Sequence, residues 1–221
     1  MRMIKFNHAG DYHRVQRRSQ MRKSRRPNLL LEEVEDIADC VNFYGFDLTV
    51  KNVMCHGARY GQEIVWFHGQ FPGAEVLGTD LFPKHPAVLK WDFHESREEW
   101  RGKFDLIYTN SLDHSHSPEQ VVKCWLDQLN DQGLLFVKWS PWHVTVQGGD
   151  CFGAQLYEYI CLLDYVGKVV DVVYHRASAF SIAVRKRHES DEPNNSWQRI
   201  VKSSESVDYG EPLKESGKCN Q

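Results

Sequence analysis

"VMCHGARYGQE", Val53 to Glu63, decides how this sequence folds. Together with Asn52 it opens as "NVM", with the apolar character of a buried strand, and then gives way to a turn holding two glycines, Gly57 and Gly61. Beyond the turn, "EIVWFHGQF" predicts the first helix of an α/β unit. A strand, a glycine turn and a helix N-terminus together let a nucleotide-like cofactor approach the backbone. The spacing is G-x-x-x-G, with Arg59 between the glycines and Cys55 and His56 ahead of them. It matches neither the G-x-G-x-x-G of a dinucleotide site nor the G-x-x-x-x-G-K-[ST] of a phosphate loop. A turn with neither close-set glycines nor a lysine suits a ligand that has no pyrophosphate.

Working outward, "AEVLGTDLF" predicts a second strand ending on Asp80, and "AVLKWDF" a short third strand ending near Asp92. "FDLIYTNS", Phe104 to Ser111, is a fourth strand. A helix follows from "SPEQ" to Gly133, and then a continuous apolar run, "LLFVKWS", gives a buried fifth strand. Upstream, Leu30, Val34, Ile37 and Val41 form one face of a helix between Pro27 and Gly45. Downstream come a long loop, "PWHVTVQGGDCFG", and a helix ending at Gly167. Two strands close the pattern, "KVVDVVYHR" and "FSIAVRKR", as an antiparallel edge pair. The order predicts an α/β fold: a doubly wound, mostly parallel seven-stranded sheet with helices on both faces and a terminal antiparallel hairpin. Residues 1–27 are expected to be a basic N-terminal arm, 28–187 the Rossmann-like domain and 188–221 a flexible polar tail.

At 221 residues, 41% hydrophobic and 26% charged, the chain suits one ordinary globular domain with tails. It has no apolar run long enough to span a membrane and no secretory signal. Six scattered cysteines without a C-x-x-C pair are expected to be reduced thiols of a cytoplasmic protein. The net charge of −3 divides unevenly: nine Lys or Arg against Asp11 give the arm +8, leaving −11 on the body. Such an arm suits nucleic acid or an anionic partner, whereas the acidic body argues against a broad nucleic-acid groove.

The strand ends collect the candidate site. Gly57 and Gly61 let backbone come close to a ligand, and Asp80 is placed to accept from ribose hydroxyls. Asp92 is placed to accept from an exocyclic amine such as adenine's. With these residues assembled, the chain resembles class I S-adenosylmethionine-dependent methyltransferases over about residues 50–187. "VMCHGARYGQE" stands where that family has its cofactor loop, "VLGTDLFP" where it has the ribose-binding acid, and "WDFHE" where it meets adenine. "NSLDHSHSPEQ" is similar to the family's Asn-x-Leu-x-His turn before a Pro-led helix. The resemblance implies S-adenosyl-L-methionine as cofactor, held by Cys55, Gly57, Ala58, Arg59, Gly61, Glu63, Asp80, Leu81, Asp92, Phe93, Asn110 and Ser111. It implies methyl transfer to a small-molecule acceptor, with His114 as the base and Asp113 beside it.

Two departures stand out: Cys55 replaces the family's usual acid, and Arg59 replaces its middle glycine. Glu63 is the residue available to take over the acid's work. His116 and His143 could join His114 at a metal, but no ligand spacing supports one, so no metal is expected. The rival reading is a non-catalytic binding module on the same fold, engaging nucleic acid or a protein partner through the basic arm.

Overall fold

The computed structural model describes residues 1–6, 8–22, 30–43, 49–175, 179–192, 194–203 and 205–208. The chain starts with β1 (Arg2–Lys5), α1 (Ala9–Arg22) and α2 (Leu31–Phe43). The sequence quoted first becomes β2 (Asn52–His56) and the entry to α3 (Gln62–Gln70), followed by β3 (Glu75–Asp80), β4 (Val88–Lys90) and β5 (Phe104–Thr109). Then come α4 (Pro118–Gln128), β6 (Leu129–Trp139), β7 (Phe152–Gly153), α5 (Leu156–Val166), β8 (Lys168–Tyr174) and β9 (Phe180–Arg185). α6 (Ser196–Ser203) and β10 (Glu205–Asp208) complete the described chain.

Seven strands form one sheet in the order β4-β3-β2-β5-β6-β9-β8. Neighbours from β4 to β6 are parallel, and β9 runs antiparallel to both β6 and β8, as expected of a terminal hairpin. Strand alternation explains why both faces are covered. Val53, Cys55, Leu106, Tyr108, Leu134 and Phe136 pack with α2 and α3 residues such as Ile37 and Phe67. Met54, Ile107, Leu135 and Val137 turn the other way, onto Trp125 of α4 and Leu162 of α5. A sheet buried on both sides needs near-continuous apolar strands, and β5 is buried at every position. Between β2 and β5 the strand order reverses, opening a crevice at the carboxyl ends.

Four expectations differ from the fold. The helix expected to run to Gly133 stops at Gln128. Leu129 is fully buried, and the Asp127 and Gln128 carbonyls accept from the Gly102 and Lys103 amides, which ends the helix there. Gly133 instead lies in β6, where an added Cβ would meet the Phe104 carbonyl at 2.8 Å. The residues expected to form a basic arm are built into the fold: β1 pairs with β7 and β10 in a small second sheet, and α1 lies against the body with Tyr12 and Gln16 buried. In the segment expected to be a flexible tail, α6 buries Trp197 against Phe152 and β10 pairs with β1. The long loop holds a helical turn, Pro141–Val144, and β7. Pro27 and Gly45, read as the bounds of α2, lie outside the described residues, as do residues 209–221.

Polar groups inside this core are paired. His56, 1% exposed, donates from Nε2 to Gln128 Oε1 at 3.0 Å and takes the Thr79 hydroxyl on Nδ1 at 2.8 Å. Lys138 of β6 meets both Glu33 carboxylate oxygens of α2, at 2.8 and 2.7 Å. Removing one partner of such a pair strands the other charge, so Lys138→Met should lower the unfolding free energy by about 3–5 kcal/mol in urea titration. Adding Glu33→Leu should restore most of that loss. Burial holds His56 neutral, lowering its pKa from 6.5 to about 4 despite the Gln128 bond. Its folded-state pKa lies below its unfolded one, so the stability it confers is complete above pH 6.5 and fades as pH falls towards 4. Urea midpoints should therefore fall across that window, by an amount on the order of 3 kcal/mol for this group. In His56→Gln the fall should be shallower.

Candidate functional site

The crevice is a cavity of about 300 Å³, roofed by α1 and floored by the turn after β2. Gly57 and Ala58 both donate their amides to the Thr79 carbonyl, at 2.8 and 2.9 Å, which folds the turn against the end of β3. Gly57 sits at φ +79°, and a Cβ there would lie 2.2 Å from Ser111 Oγ. Only glycine lets this turn pass the start of the segment after β5. Gly61, at φ +74°, caps α3 and faces His85 rather than the cavity.

Acids at the strand ends divide between cavity and scaffold. Asp80 and Glu63 both line the cavity and are largely buried. Asp80 Oδ1 accepts from the Phe82 amide at 2.7 Å. Burial pushes both carboxyls above their ordinary range, opposed at Glu63 by a backbone amide and Lys138 and at Asp80 by backbone amides, His114 and Arg59. Asp92 does not line the cavity. β4 stops two residues earlier, and the carboxylate turns to the His94 amide and ring, at 3.0 and 2.7 Å, and to His13 of α1 at 3.1 Å. Burial would raise Asp92, but these bonds hold it well below the usual carboxylate range. Its neighbour Phe93 lines the cavity instead, with Leu81, Asn110 and Ser111.

The two departures in the loop resolve differently. Cys55 faces α2 and α3 in the core, away from the cavity, and burial pushes its thiol up, with Glu63 adding to the effect. Strand alternation dictates this, because Val53 and Cys55 share a face. Arg59 stays at the cavity and reaches upward, donating to the Gln20 carbonyl in the last turns of α1. A cation there complements the helix C-terminus.

His114, on the turn after β5, lines the cavity, whereas Asp113 does not. His114 Nδ1 lies 2.9 Å from the Gly149 carbonyl and 3.2 Å from Asp150 Oδ1. Asp113 is buried, with Oδ2 3.9 Å from His143 Nε2. His116 belongs to another group, stacked on His94 at 4.0 Å and edge-on to Tyr12. Sequence reasoning missed the roof: Tyr12, Gln16 and Gln20, at i, i+4 and i+8 on α1, all line the cavity. That spacing was readable, but it is interleaved with Arg14, Arg17 and Arg18, whose charge suggested a solvated segment.

No sequence family and no curated protein matches the chain. Solved structures do. A 1,6-didemethyltoxoflavin-N1-methyltransferase from Burkholderia thailandensis, crystallised with its substrate and S-adenosylhomocysteine, superposes at TM-score 0.59. It is 16% identical, and the match covers 83% of this chain and 92% of that one. The chain has the class I S-adenosylmethionine-dependent methyltransferase fold. The same fold appears in mitomycin 7-O-methyltransferase (TM-score 0.53, 15% identity, 71% of this chain), of which the match spans about half, 53%. It appears too in a sugar N-methyltransferase from Streptoalloteichus (TM-score 0.52, 15% identity, covering 70% and 87%).

The cavity of this methyltransferase fold suits a polar ligand. Gln20 Oε1 and Arg59 Nε, on residues lining it, are buried without a hydrogen-bond partner among the described residues. Buried polar atoms left unmatched are costly, and a ligand with amine, carboxylate and hydroxyl groups supplies matches. The turn itself gives a sharp test. Gly57→Ala imposes a left-handed residue worth about 1–2 kcal/mol, and scanning calorimetry should show melting lowered by about 2–8 °C.

Proposed function

We propose that the protein transfers the methyl group of S-adenosyl-L-methionine to a small-molecule acceptor. The observation that carries this reading is the juxtaposition, in one cavity at the sheet's switch point, of the Gly57 turn, Asp80, Glu63, Arg59 and His114. The 1,6-didemethyltoxoflavin-N1-methyltransferase of the same fold, crystallised with S-adenosylhomocysteine, supports the choice of cofactor.

In this reading Asp80 accepts from the ribose hydroxyls, and Phe93 and Leu81 offer apolar walls to the adenine. Glu63 takes the ammonium of the methionyl part, the task usually given to an acid at the position of buried Cys55. Arg59 is near enough to favour its carboxylate while still holding α1. Ala58, Asn110 and Ser111 complete the floor, with Gly57 and Gly61 shaping the backbone beneath. When bound, the cofactor supplies an electrophilic methyl group. The protein aligns it with the acceptor and keeps out water, and α1 closes the space above. His114 stands at the acceptor end with Asp113 behind it, and a proton lost by the acceptor leaves through this group. Mitomycin and sugar methyltransferases of the same fold support a small acceptor.

The alternative, a binding module that uses the N-terminal segment for nucleic acid or a protein, has in its favour only exposed Arg14, Arg17 and Arg18 on the outer face of α1. The inner face of that helix is committed to the cavity.

Calorimetric titration with S-adenosylmethionine and S-adenosylhomocysteine tests the proposal. Micromolar binding is expected, weakened at least a hundredfold by Asp80→Ala. Absence of binding at millimolar ligand by folded protein would overturn it.

A further inference from the structure

Where His114 meets the cavity wall, two carboxylates and an imidazole converge from separate segments. One oxygen each of Asp113 and Asp150 and one nitrogen of His114 lie within 4.8 Å of one another. Asp113 and His114 come from the turn after β5, and Asp150 from the loop before β7. We propose that these three residues bind a divalent cation of the Mn²⁺ or Zn²⁺ class.

The argument rests first on spacing. Donors sharing a cation at roughly 2.0–2.2 Å stand about 3–4.4 Å apart. His114 Nδ1 and Asp150 Oδ1 are already 3.2 Å apart, and the set as a whole needs a contraction of only a few tenths of an ångström. Chemistry sets the class of ion: one imidazole with two carboxylates suits Mn²⁺ or Zn²⁺, and no thiolate joins the set to favour Cu⁺. The nearby Cys151 thiol is directed at the Gly149 carbonyl instead, at 3.3 Å.

The support around the ligands is already built. Gly149's carbonyl accepts from Gln16 Nε2 at 2.6 Å, fixing the Asp150 loop against α1, and a cation taken by His114 Nδ1 displaces that nitrogen's own bond to the same carbonyl, 2.9 Å away. Gln147 and Asp150 exchange backbone hydrogen bonds at 3.2 and 2.9 Å, closing that loop into a tight turn. Gly149 has no room for a side chain, since a Cβ would lie 2.7 Å from Ser19. Three protein ligands leave coordination positions open, and His114, the ligand that lines the cavity, puts the cation at its wall. A cation there would take an acceptor hydroxyl oxygen directly and lower the cost of its deprotonation, with His114 then serving as ligand in place of base and the proton passing to solvent water. Hydroxyl-bearing acceptors are thus the favoured class.

The location is independent of the cofactor reading, although the role at the acceptor rests on it. Mn²⁺ is the probe, followed by electron paramagnetic resonance on the purified full chain, with Zn²⁺ competition and S-adenosylhomocysteine binding measured on the same preparation. One Mn²⁺ per chain is expected, displaced by Zn²⁺, with affinity at least tenfold weaker in Asp150→Asn and in Asp113→Asn. Circular dichroism checks that both variants are folded. Folded wild-type protein that takes up neither ion at millimolar concentration overturns the proposal, as do variants that bind Mn²⁺ as well as wild type. Bound Mn²⁺ without S-adenosylhomocysteine binding would leave the cation site standing and remove the methyltransferase reading; the converse removes only the cation.

Discussion

Burial of the central sheet on both faces governs everything else in this molecule. With β2, β5 and β6 enclosed by helices, a polar side chain on them must find a partner inside the protein or sit at a strand's carboxyl end. His56 between Thr79 and Gln128, and Lys138 against Glu33, are the first solution. Asp105 is a third case: its Oδ2 takes the Lys51 and Asn52 amides at 2.7 Å and its Oδ1 takes Asn130, locking the starts of β2 and β6 together. The second solution is the cavity, where Asp80, Asn110 and His114 emerge from strands that are otherwise apolar. Chemistry gathers there because nowhere else on the sheet tolerates it.

The roof is held by unlike contacts at three points along one helix. Tyr12 packs edge-on against His94 and His116, Gln16 bonds to the Gly149 carbonyl, and Arg59 reaches the Gln20 carbonyl. Each ties α1 to a different segment: the turn after β4, the loop before β7 and the glycine turn itself. The arginine that makes the glycine turn irregular in sequence is therefore the residue that joins floor to roof.

Much of the architecture was legible because its signals are local and repeated. Apolar runs such as "LLFVKWS" and glycine turns such as "CHGARYG" read directly as strands and crossings. Asp80, Phe93, Ser111 and His114 line one cavity because strand ends converge in this topology. Other features escaped because they depend on distant partners. The end of α4 is set by amides from residues 102 and 103, and Asp92's orientation by His13, 79 residues away. "RMIK" forms a strand with only Ile4 buried, a pattern too short to notice. Asp150 looked like one acid in a loop of glycines until the fold brought it against His114.

The small second sheet has a consequence for the order in which the molecule is assembled. β1, which leads into the roof helix, lies parallel to β10, pairing Arg2 with Glu205. Closing so long a loop costs entropy that no local contact offsets, and contacts of such separation form late. β7, the other partner of β1, is made before β10, so the last strand joins a small sheet already begun. A chain interrupted before β10 would thus lose one edge of the small sheet while Gln16, Arg59 and β7 still held the roof in place.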